Sequence, residues 1–175
     1  MLKLVQSSDL ILKQKAEEVI ESEIQDIIDI SGEMFSIMKA NNGVGLAAPQ
    51  IGISKRFFIK KCFHPILGFT INSKTQTTIK VNDINHKDYN DYYDLIVNPI
   101  YIYKSDKKDI MSEGCLSLPR VEVQIERPSL ITLSFLSNIS TKGNSTMKMV
   151  FDGVESRICQ HEIDHLDGKL ITDYY

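Results

Sequence analysis

The stretch that decides the fold is QHEIDH at positions 160–165, which contains two histidines four residues apart. In a helix of 3.6 residues per turn, His161 and His165 lie about 40° apart on one face, so both imidazoles can reach one ion. Glu162 lies one position further round, where the HExxH arrangement places a general base for a metal-bound water. At this composition about 0.005 chance matches are expected, so the pattern predicts a metal site on a helix.

A catalytic metal site of this kind needs a third protein ligand and an open fourth position. Zinc proteases of the thermolysin type take an acidic residue about twenty positions downstream, but only ten residues follow His165 here, with two acids among them. The expected third ligand is therefore upstream, at Cys115 in the turn-like EGCLS of positions 113–117. Cys62 is expected in the core of a strand, and Cys159 about 200° round the helix from the first histidine.

Composition sets the class of protein. The chain has 175 residues, 42% hydrophobic and 25% charged, as is typical of one globular domain. A net charge of −3 excludes bulk attraction to nucleic acid or to an anionic membrane. No apolar run is long enough for a transmembrane helix, and the first residues resemble neither a signal nor a transit peptide. Three cysteines are too few for a disulfide framework, so we expect a cytoplasmic, reducing compartment.

Hydrophobic periodicity predicts an α+β fold, with N-terminal helices, antiparallel β-sheets, and a C-terminal helix that carries HExxH against the sheet. Helices are predicted over 9–19, 23–41 and 152–168, and strands over 57–63, 95–103, 121–126 and 130–136. Residues 64–94 are polar and lack a period, so we expect them to form a surface insertion within a single domain spanning 1–175.

The third notable stretch is GVGLAAPQ at positions 43–50. It contains neither GxGxxG nor a following Lys-Ser/Thr, so it is not a phosphate loop. Its small residues allow the backbone to approach a ligand closely, and Gln50 can offer an amide N–H to a substrate oxygen. The alternative is a plain glycine-rich turn between a helix and a strand.

Taken together and in this order, the three stretches resemble the peptide deformylases, whose signatures are G-Φ-G-Φ-A-A-x-Q, E-G-C-Φ-S and Q-H-E-x-D-H. The likeness extends to KAEEV at 15–19, VNP at 97–99 and GKL at 168–170. The resemblance implies hydrolysis of the N-formyl group from the initiator methionine of nascent polypeptides, with release of formate.

The resemblance also implies roles for individual residues. Cys115, His161 and His165 would bind one divalent metal ion, with water as its fourth ligand. Glu162 would shuttle the proton, while Gln50 and the backbone N–H of Leu116 would stabilise the oxyanion. The substrate peptide would lie against Gly45 and Gly114, and its methionine side chain in a pocket formed by Val44, Val154 and Ile158. For these three apolar residues, core packing is an equally good interpretation.

For the cofactor, the resemblance implies iron(II) in the cell, with zinc, nickel or cobalt able to occupy the same site. The expected partner is an N-formylmethionyl peptide, the chain is expected to act as a monomer, and no nucleic acid or membrane is expected to bind. The ribosome is a further candidate partner, although the helix that many members add after this point is not among these 175 residues.

The sequence also departs from the family pattern. Gln50 and Cys115 are separated by 64 residues, and the polar segment 64–94 accounts for the surplus. Arg120 lies near the place of the arginine that positions substrate in many members, but Glu122 occupies the later position. The alternative functions are a metallohydrolase or metalloprotease acting on other amides, and a metal-stabilised binding protein. Glu162 and Gln50 argue against the last, since a purely structural site needs neither.

Overall fold

The computed structural model of the chain describes residues 2–63, 70–74, 76–78, 89–137 and 145–175. Helix α1 spans Ile24–Ala40, which confirms the helix predicted over 23–41. It forms because apolar residues recur at helical spacing and bury one face, namely Ile27, Ile28, Met34, Phe35 and Met38. The helix ends where Asn42 adopts a left-handed φ of 55° and the Gly43 N–H donates to the Met38 carbonyl at 2.9 Å.

The main sheet has five antiparallel strands in the order β1–β2–β5–β3–β4. Its strands are β1 (Gly45–Ala47), β2 (Phe57–Lys61), β3 (Thr70–Asn72), β4 (Thr77–Thr78) and β5 (Tyr92–Val97). Strand β1 pairs with β2 through Leu46 and Ile59 at the centre of the register. Among the described residues β1 has no second neighbour, so this edge of the sheet is open.

The remaining strands form a second sheet and a hairpin. The second sheet has the order β10–β9–β6, with β6 (Ile100–Lys104), β9 (Leu130–Ser137) and β10 (Ser145–Asp152), and the hairpin joins β7 (Lys108–Cys115) to β8 (Leu118–Pro128). The alternation predicted over 121–126 is confirmed, because Val123 and Ile125 are buried and their neighbours are exposed. The strand predicted over 95–103 is wrong, because Asn98, with φ of 51°, and Pro99 divide it into β5 and β6.

Helix α2 spans Gly153–Leu166 and confirms the predicted C-terminal helix. It packs against β1, β2 and the strands β8 to β10, with Cys159, Ile163 and Leu166 in the core. The fold is therefore mixed α+β, with antiparallel sheets and a C-terminal helix, as predicted. Neither α1 nor α2, nor any other helix in the described ranges, combines the length and apolarity needed to cross a membrane.

The prediction of a second N-terminal helix over 9–19 is wrong. Only a 3-10 turn forms there, over Leu10–Lys13, and Asp9 caps it by accepting the Ile11 N–H at 3.1 Å. The chain then runs extended because its N–H groups have partners elsewhere in the fold. The Ala16 N–H donates to the Leu166 carbonyl, and the Glu17 N–H to the Ser54 carbonyl.

The expectation that residues 64–94 lie outside the core is wrong for the described part of that segment. Strands β3 and β5 pair inside the main sheet, and Ile71 and Tyr93 are almost completely buried. The Tyr93 hydroxyl lies 2.6 Å from Ser31 Oγ of α1, and it donates to Gln76 Oε1 at 3.2 Å. Gly32 leaves room for the Gln76 side chain against the helix. Residues 64–69, 75 and 79–88 of the segment lie outside the described residues.

A buried ion pair joins this sheet to α2. Lys60 on β2 faces Asp94 on β5, at 2.6 Å between Nζ and Oδ2, and both side chains are 1% exposed. Lys60 Nζ also lies 2.6 Å from Glu155 Oε1 in the first turn of α2. Although burial alone would lower the pKa of Lys60, Asp94 and Glu155 raise it above its ordinary value, so the lysine stays charged. The cluster fixes the start of the helix against the sheet.

Candidate active site

The turn between β7 and β8 and the middle of α2 bring together the three expected metal ligands. Cys115 Sγ lies 3.3 Å from His165 Nε2, and one donor atom each from Cys115, His161 and His165 lie within 4.8 Å of one another. A tetrahedral ion with bonds of about 2.0–2.3 Å would hold its donors about 3.3–3.6 Å apart. The distance between Cys115 Sγ and His165 Nε2 falls in this range, and a donor set of one thiol and two imidazoles suits one divalent ion.

The His161 ring is held on its Nδ1 side by a buried carboxylate, that of Glu113. Its Nδ1 lies 2.9 Å from Glu113 Oε2, and Glu113 also accepts from Arg127 Nε at 2.6 Å and from Arg157 Nη1 at 2.8 Å. Burial alone would raise the pKa of Glu113, but these contacts hold it well below its usual range. An ionised Glu113 accepts the Nδ1 proton, which would leave Nε2 of His161 to the metal when binding displaces the proton there.

Glu162 is buried beside the same donors. Its side chain is 3% exposed, and its Oε2 has no hydrogen-bond partner among the described residues. Burial raises the pKa of Glu162 to about 7, which suits proton transfer at neutral pH. Its Oε1 occupies the space above Gly45, where an added Cβ would lie 2.2 Å from that oxygen. Only glycine at position 45 leaves room for this carboxylate.

Gln50 lies in the 3-10 turn Ala48–Ile51 that follows β1. Its Oε1 accepts the Ala47 N–H at 2.8 Å, which determines the orientation of the amide. The Nε2 group then lies 3.5 Å from Cys115 Sγ and is buried with the rest of the side chain. Leu116 follows in the same turn as the cysteine and is half-buried.

A cleft of about 460 Å³ opens in front of these groups. All five residues predicted to contact substrate line it: Val44, Gly45, Gly114, Val154 and Ile158. Val44 is 46% and Val154 51% exposed, so neither packs in the core, whereas Ile158 is buried. Gln50, Cys115, Leu116, His161 and Glu162 line the same cleft, and His165 lies buried behind them.

Two opposite charges stand among the lining residues. Arg120 is exposed and adopts a left-handed φ of 67°, unusual for a residue with a side chain. Glu122 is also exposed and accepts a hydrogen bond from Ser112 Oγ at 3.0 Å. The structure therefore places both the candidate positioning arginine and the glutamate in the same cleft.

The family model described as polypeptide deformylase matches residues 1–175 of this sequence. The chain belongs to the polypeptide deformylase family. A peptide deformylase from Orientia tsutsugamushi (strain Ikeda) is 33% identical over 99% of this chain and 86% of its own length. The crystal structure of a probable peptide deformylase from Synechococcus phage S-SSM7 superposes with a TM-score of 0.77, at 33% identity and full coverage of both chains.

A second solved deformylase, from Acinetobacter baumannii, was crystallised with Met-Ala-Ser bound and superposes with a TM-score of 0.75. It is 29% identical to this chain, and the match covers 100% of this chain and 98% of that one. Deformylases are metal-dependent hydrolases that process the N-termini of newly made proteins by acting on formylated peptides. The cluster of one cysteine and two histidines described above is a possible metal site of that kind.

The motifs of this deformylase did not reveal the charged residues behind His161. Arg127 and Arg157 lie outside the three motifs, and Asp164, although part of Q-H-E-x-D-H, was given no role. These residues and the uncharged Tyr174 contact one another or Glu113. One signal was available for Arg127. It follows Val123 and Ile125 at the next inward position of β8, and a charge on a buried strand face needs an ionic partner.

Proposed function

We propose that Cys115, His161 and His165 hold one divalent metal ion, and that the chain uses it to hydrolyse the N-formyl group of N-terminal formylmethionine, releasing formate. The observation that carries the proposal is the meeting of three donor atoms within 4.8 Å beside Glu162, in a cleft wide enough for a peptide. Membership of the deformylase family gives the reaction class. The HExxH arrangement on α2 supplies two ligands and the base.

The protein side of the metal site is prepared for binding. When bound, a divalent ion would lower the pKa of a water molecule toward 7 and polarise the formyl oxygen. Burial lowers the pKa of His165 well below its usual value, which keeps its imidazole neutral, the form that binds metals. Glu113 selects the tautomer of His161 that is needed for the same purpose.

Glu162 is proposed as the proton carrier. It takes a proton from the attacking water and delivers it to the leaving amine nitrogen, so that formate and a free amino terminus result. Its burial supports this role because a desolvated carboxylate holds a proton more readily at neutral pH.

Gln50 and Leu116 are proposed to stabilise the negative oxygen that develops as water adds to the formyl carbon. The Nε2 group of Gln50 is directed toward Cys115 because Ala47 occupies its Oε1. The backbone N–H of Leu116 would be the second donor. Each donor of this type is worth about 3–4 kcal/mol of the barrier in other hydrolases.

The peptide is proposed to extend along the open edge of β1. An extended chain can pair with an exposed strand edge through backbone hydrogen bonds, while its side chains alternate between pockets. Gly45 and Gly114 would allow close approach of its backbone, and the methionine side chain would lie against Val44, Val154 and Ile158. The Met-Ala-Ser complex of the Acinetobacter baumannii enzyme supports a peptide in this cleft.

Formate release from formyl-Met-Ala-Ser tests the proposal, with cleavage of unformylated Met-Ala-Ser measured in parallel. We expect the first reaction only, and peptide-bond cleavage would favour a metalloprotease instead. Glu162→Ala should abolish turnover while one metal ion per chain is retained. Asp152→Ala is the matched control, because this carboxylate at the start of the same helix is exposed and makes no capping hydrogen bond. Loss of the metal from Glu162→Ala would instead make Glu162 a ligand.

We further propose iron(II) as the ion used in the cell, with zinc, nickel or cobalt as possible replacements. A thiolate with two imidazoles accepts all of them, so the donor set alone does not choose. Bound by Cys115, His161 and His165, iron(II) would admit a further oxygen ligand more readily than zinc beside a thiolate, and so would polarise the formyl group better.

The chain is proposed to act as a monomer in the cytoplasm, on peptides emerging from the ribosome. All three donors, the base and the oxyanion groups come from one chain, so a second copy is not needed to complete the site. Light scattering of the active fraction should give the mass of one chain. A dimer as the only active species would contradict the monomer.

A further inference from the structure

A continuous series of polar contacts leads from His161 to the last helical turn of the described chain. Glu113, which accepts from His161, is also bound by Arg127 through Nε at 2.6 Å and Nη2 at 2.9 Å. The third nitrogen, Arg127 Nη1, donates to Asp164 Oδ2 at 2.7 Å. The side chains of Arg127 and Glu113 are 5% and 4% exposed, so the series is isolated from water along most of its length.

Tyr174 forms the outer end of this series. Its hydroxyl donates to Asp164 Oδ2 at 2.8 Å and accepts from Arg127 Nη1 at 3.2 Å. Its ring lies against the guanidinium of Arg127, with 5.0 Å between the ring centre and the central carbon. Tyr174 itself is 41% exposed, so it separates Arg127 and Asp164 from solvent.

The turn that presents Tyr174 is itself anchored. It spans Ile171–Tyr174, and Ile171 is buried against Val123 and Ile125 of β8. Asp173 accepts the Leu170 N–H at 2.8 Å and pairs with Lys13 at 3.0 Å. The position of the tyrosine is therefore set by the fold and does not depend on Asp164 and Arg127 alone.

We propose that Tyr174 is a positioning residue of the metal site, acting through Arg127 and Glu113 on the orientation of the His161 ring. The inference rests on the proposed function in one respect, that His161 is a metal ligand. Arg157 Nη1 also donates to Glu113 Oε1 at 2.8 Å, so Arg127 is one of two cations that hold this carboxylate. Asp164 and Tyr174 fix the Arg127 guanidinium through its remaining nitrogen. Without the tyrosine, water competes for that nitrogen, and Arg127 holds Glu113, and with it the His161 ring, less rigidly.

The test uses the zinc-loaded protein and measures the rate at which a chelator removes zinc. Loss of the group in direct contact with a metal-binding histidine, here Glu113, costs about 10–100-fold in metal affinity. Tyr174 acts through that group, so we expect Tyr174→Leu to release zinc about tenfold faster, at the lower end of this range. Tyr174→Phe keeps the ring and removes one hydrogen-bonding group, which predicts an increase of about fivefold. Tyr175→Leu is the matched control, because this neighbouring tyrosine is 85% exposed, and it should release zinc at the parent rate.

A merely structural role is separated from a positioning role by a second measurement and by a double variant. The visible absorption bands of the cobalt-loaded protein report ligand geometry, and they should shift in Tyr174→Phe even where its melting temperature is unchanged. In a Glu113→Gln background, replacing Tyr174 should add little to the release rate, because the connection to His161 is already broken. A full additional effect in that background would overturn the proposal.

Failure of this inference differs from failure of the proposed function. A parent protein that holds zinc, with Tyr174→Phe releasing it at the parent rate and keeping the parent cobalt spectrum, overturns the role of Tyr174 alone. A parent protein that holds zinc but releases no formate overturns the proposed reaction and leaves the role of Tyr174 standing. A parent protein that binds no metal overturns both.

Discussion

Gly45→Ala should disable the proposed base without unfolding the protein. The new Cβ would lie 2.2 Å from Glu162 Oε1 and 2.8 Å from its Cδ. An ordinary carbon–oxygen contact is about 3.3 Å, so the carboxylate must retreat by about 1 Å. A misplacement of about 1 Å can cost about 100-fold in rate, equivalent to about 2.7 kcal/mol of activation free energy. Alanine is no less stable than glycine inside a strand, and Gly45 has no positive φ, so stability should change little.

The assay is formate release from formyl-Met-Ala-Ser, together with metal content and thermal melting. We expect kcat to fall about 100-fold, with one ion per chain retained and a nearly unchanged melting temperature. Gly114→Ala is the comparison variant, because among the described residues its added Cβ meets only the Val121 carbonyl, at 3.8 Å, and does not reach Glu162. Since Gly114 is proposed to lie against the substrate backbone, this variant should raise KM and leave kcat nearly unchanged. An equal fall of kcat in the two variants, or full activity of Gly45→Ala, would refute the assignment of Glu162 as a base held above Gly45.

Three further outcomes are expected. Gln50→Leu should lower kcat by about 10²–10³-fold with KM little changed, because the lost N–H acts in the transition state. Steady-state kinetics measure both constants, and a variant with mainly a higher KM would make Gln50 a substrate-binding residue instead. Lys60→Met should reduce the free energy of unfolding in urea by about 3–5 kcal/mol, because it leaves the Asp94 carboxylate buried without its cation. An unchanged urea midpoint of unfolding would disprove this destabilisation. Protein loaded anaerobically with iron(II) or nickel should deformylate substantially faster than its zinc form and, for iron(II), lose activity in air; equal or higher activity of the zinc form would contradict the iron assignment.

The sequence by itself determined the features that depend on the spacing of residues close together along the chain. The interval between His161 and His165 predicted two donors on one helix face, because helical geometry alone relates residues four apart. In the same way, the alternation of apolar and polar residues in β8 predicted its buried face, because successive side chains of a strand point to opposite faces. Even the bounds of α2 followed from local pattern, although its capping did not. Asp152 makes no side-chain cap, and Glu155 pairs with Lys60 of the sheet.

Only the tertiary structure decided which charged residues meet. Arg127, Asp164 and Tyr174 lie on β8, on α2 and in the last turn, and no local period relates a buried charge to a partner on another element. Packing also decided that the described parts of 64–94 belong to the core, since Tyr93 is polar enough to suggest a surface but finds Ser31 and Gln76 inside. A polar side chain is stable in the interior wherever the fold supplies its partner, and that partner is settled by long-range contacts.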